Sequence, residues 1–239
     1  MKNLKMDDGI SKKKAQWDFS NGVSKTFVSH IKKSVPFYEE AHDLVCYLTD
    51  YFCHHKSTCY ELGSSTGELI KKMAMHNSHK PSVNWVGIDN EPEMIQASEK
   101  TCKGISNVSF LNEDVLTTQF ETSDLIVAYY TVQFIPEKAR QELINRIYQS
   151  LNWGGAFILF EKVRGPDARF QDILTGLYQD FKKRNGFSSD EILNKSESLR
   201  GVLNPFSTQG NLDLLTRAGF KDIMPVYKYM CFEGTLCIK

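Results

Sequence analysis

The chain of 239 residues has no apolar run near the roughly 18 residues that a membrane span requires. Its first stretch, Met1 to Lys14, is polar and lysine-rich with no apolar core, so a secretory signal is not expected and the cytoplasm is the expected location. Net charge is also missing: 29 Lys and Arg balance 29 Asp and Glu. A strongly basic nucleic-acid binder is thereby disfavoured, although a local basic patch survives such a sum. There is no C-x-x-C pair among the six cysteines (Cys46, Cys53, Cys59, Cys102, Cys231 and Cys237), which therefore read as reduced, mostly buried thiols. The cluster Cys53-His54-His55 has the right atoms for zinc. Adjacent residues rarely aim at one tetrahedral centre, however, and no second ligand pair lies at finger spacing. No metal is expected there; the cluster reads as a frayed helix end. Repeats and low-complexity tracts are absent too. The apolar share of 41% and the charged share of 24% suit one globular α/β domain with modest additions.

The informative stretch is Cys59-Tyr60-Glu61-Leu62-Gly63-Ser64-Ser65-Thr66-Gly67-Glu68-Leu69. A β-leaning lead-in ends in an acid, a glycine turn follows, and a segment of helical period begins. Gly63 can take positive φ and let a ligand approach the backbone. Gly67 allows close packing at the helix start, with Ser64, Ser65 and Thr66 as candidate N-caps. A second run, Val83 to Ile88, ends in Asp89, 22 residues after Gly67. A glycine turn followed by an acid about 20 residues on is how a doubly wound sheet grips a nucleoside, the acid accepting from ribose hydroxyls. The glycines do not form G-x-G-x-x-G, so a dinucleotide is the weaker reading.

Taken in order, residues 1–16 are expected to be a mobile tail and Trp17-Asp18-Phe19 to begin order. Val23, Phe27, Val28 and Ile31 form a helical stripe. Pro36 breaks it, and a second helix over 39–52 carries Ala41, Leu44, Val45, Leu48 and Tyr51 on one face. These two helices read as a cap over the nucleoside pocket, and Tyr38 is either a ligand contact or an aromatic staple. Strands are expected at 57–62, 82–89, 107–111 and 123–129, with helices at 66–76, 92–103 and 137–151 between and after them. Asn112-Glu113-Asp114-Val115 is an acidic turn at a strand end. Asp114 there suits an adenine amino group and the Val115 N–H an adenine nitrogen, against the plainer reading of a generic turn. The apolar strand 123–129 runs into Tyr129 and Tyr130. A turn at Gly154-Gly155 leads into a fifth strand, residues 166–200 read as an inserted helical lid, and a helix over 207–218 precedes strands 221–229 and 231–238. The lid charges at Phe181-Lys182-Lys183-Arg184 are a solvated face or a tRNA-facing patch.

An acid two residues before Gly63 and Gly67 four after it resemble the first motif of class I S-adenosylmethionine (SAM) methyltransferases. That resemblance implies a Rossmann-like sheet, Glu61 near the methionine ammonium group, Asp89 on the ribose, and the transferring methyl at the end of the fourth strand by Tyr129 and Tyr130. More particular pieces resemble one subgroup, the carboxy-SAM synthases of tRNA wobble-uridine modification. They are Trp17-Asp18-Phe19, Lys33-Ser34-Val35-Pro36-Phe37-Tyr38, Ile88-Asp89-Asn90, Thr131-Val132-Gln133-Phe134, Phe160-Glu161-Lys162 and Asp180-Phe181-Lys182 with Asn185-Gly186. The resemblance implies one domain over 17–239, a homodimer, and SAM contacts from Tyr38, Gly63, Ser64, Ser65, Asp89, Asn90, Asp114 and Val115. Two positions depart. Tyr129 stands where the synthases carry a pocket asparagine, and Ser196 where they carry the arginine that grips the extra carboxylate of their product. A serine hydroxyl cannot replace a bidentate guanidinium. Arg200, one helical turn from Ser196 if that segment is helical, or Lys195, could stand in.

Three functions follow. The first is a SAM-dependent methyltransferase acting on a small-molecule acceptor, with Tyr129 and Tyr130 at the transferring methyl and Tyr129, Tyr130, Glu161 and His30 as reachable bases. The second is a carboxy-SAM synthase using prephenate, as the resemblance implies, with Arg200 as the stand-in. The third is a catalytically silent SAM-binding partner. The pocket departures place the methyltransferase first, and the neutral charge favours a small acceptor over tRNA.

Overall fold

The computed structural model describes residues 26–239, so the tail at 1–16, Trp17-Asp18-Phe19 and the start of the first helical stripe lie outside the described residues. The elements run α1 (Phe27–Ser34), α2 (Tyr38–Phe52), β1 (Thr58–Leu62), α3 (Glu68–His76), β2 (Asn84–Asp89), α4 (Pro92–Thr101), β3 (Val108–Asn112), β4 (Ser123–Tyr129), α5 (Glu137–Ser150), β5 (Leu151–Lys162), α6 (Ala168–Arg184), α7 (Ser189–Ser198), α8 (Thr208–Ala218), β6 (Asp222–Tyr229) and β7 (Phe232–Ile238). The seven strands form one sheet in the order β3-β2-β1-β4-β5-β7-β6. Neighbours from β3 to β5 pair parallel, and β7 pairs antiparallel with both β5 and β6. The order reverses between β1 and β4, which is where an open α/β sheet holds its ligand beyond the strand ends.

Apolar continuity explains the centre. β4 is buried almost throughout, as a parallel strand covered on both faces must be. One core packs β1, β4 and β5 against α2 and α3; the other packs the opposite sheet face against α5 and α8. Pro225 is tolerated in β6 because that strand is the sheet edge, where the pairing with β7 also slips. Pro92 opens α4 at the first turn, and Gly219, at φ 123°, ends α8 where a Cβ would meet the Tyr148 ring at 2.7 Å.

Three expectations need correction. None of Ser64, Ser65 or Thr66 caps α3: the N-cap is Gly67 at φ 79°, with no side-chain cap bond, and a Cβ there would meet that of Ser98 at 2.9 Å. The inner face of α2 takes in Ala41, Leu44, Val45 and Leu48 as expected but not Tyr51, and it extends over polar positions instead. Tyr51 is 74% exposed, whereas His42, Cys46 and Thr49 are buried beside Ala41 and Val45. Finally, the strand β5 already starts at Leu151, before the Gly154-Gly155 turn. Helices do occupy both stretches, α1 and α2 before β1 and α6 and α7 within 166–200.

Candidate active site

A cavity of about 940 Å³ lies over the carboxyl ends of β1, β2, β4 and β5, under α1, α6 and α7. That is near the upper end for a small-molecule site, roughly 300–1,000 Å³. The cofactor and carboxylate-side candidates singled out from the sequence all line it, as do Tyr129, Tyr130 and His30; Glu161 does not.

The floor comes from the glycine turn. Gly63 adopts φ 69°, and a Cβ on it would lie 2.5 Å from Thr131 Oγ1. The close neighbour it accommodates is therefore the loop after β4, whose Thr131 hydroxyl donates to the Leu62 carbonyl at 2.7 Å. The N–H groups of Gly63 and Ser64 both donate to the Ile88 carbonyl, fastening the turn to β2. Glu61 is buried at the end of β1, and its carboxylate accepts from the Ile70 N–H at 3.0 Å. Burial raises its pKa well above the ordinary carboxylate range, outweighing that bond, and the nearby Asp89 adds to the rise. Among the described residues no cation pairs with it.

Asp89 ends β2 with one oxygen accepting from the Ser65 N–H at 2.8 Å and the other from the Glu91 N–H at 3.0 Å. Burial also raises its pKa, against those two bonds. Each oxygen keeps a lone pair for a ribose hydroxyl. Asn90 follows at the exposed rim. Asp114 is exposed; one of its oxygens accepts from the Leu116 N–H at 2.9 Å, and Val115 is buried beside it on the wall. Tyr38 opens α2, with its ring 4.4 Å from that of His42 and 5.5 Å from that of Tyr129. Tyr38 is thus packed as an aromatic staple and also lines the cavity.

The two tyrosines ending β4 differ in kind. Tyr129 sits in an aromatic cluster with Tyr38, His42 and Phe160, and its hydroxyl donates to the Tyr38 carbonyl at 3.0 Å. That hydroxyl is engaged with the cap, while the residue lines the cavity. Tyr130 takes a left-handed backbone, φ 62°, fixed by its N–H donating to the Phe160 carbonyl at 2.8 Å. Its hydroxyl is buried and has no partner among the described residues. Left-handed non-glycine residues cost about 1–3 kcal/mol and gather at functional sites; Ser65, at φ 50°, is a second one on this wall.

Sequence reasoning placed Glu161 among the reachable bases, but it does not line the cavity. It lies buried beneath the loop after β4, and desolvation pushes its pKa up to about 8 against the Arg140 guanidinium and the backbone N–H groups of Gln133 and Val132. Gln133 is the hub of this loop: its side chain accepts from the Lys162 N–H and donates to the Tyr130 carbonyl, while Arg140 donates to its own carbonyl at 3.0 Å. His30 does line the cavity and contacts Lys195 across it.

On the lid side, α7 ends at Ser198, so Arg200 sits in the turn beyond rather than one turn along the same helix from Ser196. Both remain on the cavity wall. Sequence reasoning missed Lys162, Tyr178, Lys182 and Cys231, which line the same cavity. The usable signal was position: Lys162 closes a strand whose carboxyl end faces the crevice. Among the described residues, no group of three or more His, Cys, Asp and Glu could hold a metal ion; Cys53 is buried just beyond α2, with its sulfur 3.4 Å from that of Cys59.

A methionine-bearing nucleoside fits these residues. Glu61 is a buried carboxyl with no cation beside it among the described residues, the buried Ser64 hydroxyl has no partner among them either, and Asp89 is held at a strand end. The Glu61 carboxyl would hold the ammonium group, Asp89 the ribose, and Asp114 with Val115 the adenine.

Comparison with known proteins bears on the family, the fold and the cofactor. Residues 59–155 match a family model described as a methyltransferase domain. A carboxy-S-adenosyl-L-methionine synthase of Staphylococcus epidermidis is 39% identical over 94% of this chain and 97% of its own. One from Nautilia profundicola is 34% identical over 98% and 100%. Human N-acetylserotonin methyltransferase, solved in complex with SAM, superposes with a TM-score of 0.61 at 17% identity, covering 92% of this chain and 56% of its own, and so shares the fold. The chain therefore belongs to the class I SAM-dependent methyltransferases, with SAM as cofactor, beside the carboxy-S-adenosyl-L-methionine synthases that it matches over nearly its whole length.

Proposed function

We propose that this enzyme transfers a methyl group to a small-molecule acceptor held over the ends of β4 and β5. The observation that carries the reading is Tyr130, a cavity-lining residue at the sheet's switch point with a strained backbone and a buried hydroxyl that has no partner among the described residues. Bound SAM supplies an electrophilic methyl carbon on a sulfonium. The chain's part is to hold a nucleophile in line with it, because displacement of this kind needs positioning more than acid or base groups. Burial raises the Tyr130 phenol well above its ordinary pKa, so at neutral pH it is an uncharged hydrogen-bond partner for the acceptor rather than a phenolate base. Glu161 holds the loop from below, through the N–H groups of Val132 and Gln133.

Carboxy-SAM synthesis is the second reading, favoured by the names of the full-length relatives and by Arg200 on the same wall as Ser196. Arg200 would then offer the bidentate grip on a carboxylate that Ser196 lacks. Incubating purified protein with SAM and prephenate, with mass spectrometry of the products, separates the two. Carboxy-SAM among the products would refute the methyltransferase reading. Its absence, with S-adenosylhomocysteine accumulating in the presence of an acceptor, would uphold it.

The protein is also proposed to be a homodimer. Phe170, Ile173 and Leu177 repeat at helical spacing along α6 and all are exposed, an apolar stripe suited to a second copy. A single-chain mass by sedimentation velocity would refute this. Six free cysteines suit a reducing compartment, and we assign the protein to the cytoplasm; no described helix is long and apolar enough to cross a membrane.

A further inference from the structure

We propose that Lys162 and Lys182 form an anion subsite in the acceptor half of the cavity, so that the acceptor is a small acid whose carboxylate docks there. The inference rests on the methyltransferase reading for the role of that acid. The site itself is read from the geometry.

The sheet divides the cavity. The nucleoside-side residues stand at the ends of β1 and β2, whereas Lys162 ends β5, on the far side of β4, and Lys182 faces it from α6. Both ammonium groups lie on one aromatic ring, at 4.5 and 4.3 Å from the centroid of Tyr178. That ring is fixed at its other end, where the Tyr178 hydroxyl donates to the Ser34 carbonyl at 3.0 Å, and Phe232 packs edge-on against it. Arg164 adds a third positive charge to the same wall.

Nothing on this wall neutralises them. Among the described residues neither lysine has a carboxylate within ion-pair distance. The nearest acid in sequence, Glu161, does not line the cavity. The Cys231 thiol beside them is held neutral by burial, against the pull of Lys162, Lys228 and Lys182. A ring face attracts a cation, by about 0.5–2 kcal/mol, but leaves its charge in place. Two lysines laid across a tyrosine on an outer surface would be ordinary packing with the heads in water. Here both lysines are half-buried against the ring; burial, and then the charge of Lys162, press Lys182 down to about 8, and burial lowers Lys162 as well, so the pair is partly shielded from solvent and lacks a counter-charge among the described residues. A bound carboxylate supplies what is missing. The orphan Tyr130 hydroxyl lies on the neighbouring strand end, next to where the rest of such an acid would sit.

The test uses the full chain saturated with S-adenosylhomocysteine, at fixed ionic strength. Calorimetric titration compares acetate and benzoate with the neutral acetamide and benzamide. Binding of an acid, with no binding of its amide, is the expected result, and Lys162→Met and Lys182→Met should each weaken it about tenfold or more while the nucleoside still binds. The acid–amide contrast on the unaltered protein stands even if a variant fails to fold. Equal binding of acid and amide, no acid binding at about 10 mM, or full retention in both variants would overturn the subsite. Methyl transfer is scored separately. Acids that bind to the subsite without any acceptor acid being methylated would refute the methyltransferase reading and leave the subsite intact.

Discussion

Replacing the two tyrosines that end β4 with phenylalanine, one at a time, should change stability in opposite directions. Both rings are about 8% exposed and both stay in place, so packing is conserved and only an oxygen is lost. In Tyr129→Phe that oxygen is the donor of a 3.0 Å bond to the Tyr38 carbonyl. A net loss of about 1 kcal/mol is expected, the usual contribution of such a bond. In Tyr130→Phe the oxygen is buried and unpartnered, so its removal relieves a desolvation penalty of about 1–3 kcal/mol. The ligand-free variant should therefore be more stable than the parent, melting higher by about 2–4 °C for each kcal/mol in a chain this long. Equilibrium urea unfolding reads both changes, with an unchanged m-value as the control for an unaltered denatured state. Turnover should move against stability. Tyr130→Phe should lose about ten- to a hundredfold in kcat/KM, the worth of one hydrogen bond in a desolvated site, and Tyr129→Phe less. If Tyr130→Phe destabilises the protein as Tyr129→Phe does, its hydroxyl has a structural partner. If it gains stability at full activity, the acceptor does not use it. Either result refutes the assignment.

Two pH effects follow from the buried acids. Glu61 must be ionised to hold an ammonium group, and burial raises its pKa in the free protein. Affinity for S-adenosylhomocysteine should therefore fall about tenfold per pH unit below that pKa and level off above it. Glu61→Gln should bind about ten- to a hundredfold more weakly at high pH, with any residual slope left to Asp89; calorimetry giving the same affinity and slope in both proteins would refute the ammonium role. Glu161, held at about 8 by burial, binds its proton more tightly folded than unfolded. Its contribution to stability is thus full in acid and is lost as pH rises through 8, on the order of 4 kcal/mol in all. Glu161→Gln should flatten the stability–pH curve between about pH 5 and 9, measured by urea unfolding, and parallel curves would refute the assignment.

The Rossmann-like sheet and the nucleoside half of the site were legible in the sequence because each rests on short-range pattern. Apolar runs fix β1, β2 and β4, and Gly63 and Asp89 act at strand ends that the runs themselves define. Side-chain partners drawn from elsewhere in the chain were not legible. The α2 helix offers two overlapping faces: Leu44 and Leu48 pack half-buried against the core, but Tyr51, though apolar, points outward. The inner face also buries Thr49, to whose hydroxyl Asn77, 28 positions on, donates at 2.6 Å, and His42, whose pKa burial depresses to about 3, so the ring stays neutral. Likewise, Tyr178 and Lys182 are visible as a pair four apart on one helix, but Lys162 joins them only because α6 folds back over the end of β5. Tyr129 and Tyr130 show the limit most directly. Neighbouring phenols on one strand end look interchangeable as letters. The left-handed turn at Tyr130 breaks the strand's alternation, so one hydroxyl reaches the cap and the other is left buried without a bond. A chain that tolerates both the strain and the orphan at one residue gains nothing in stability from either, and function is the remaining reason to keep them.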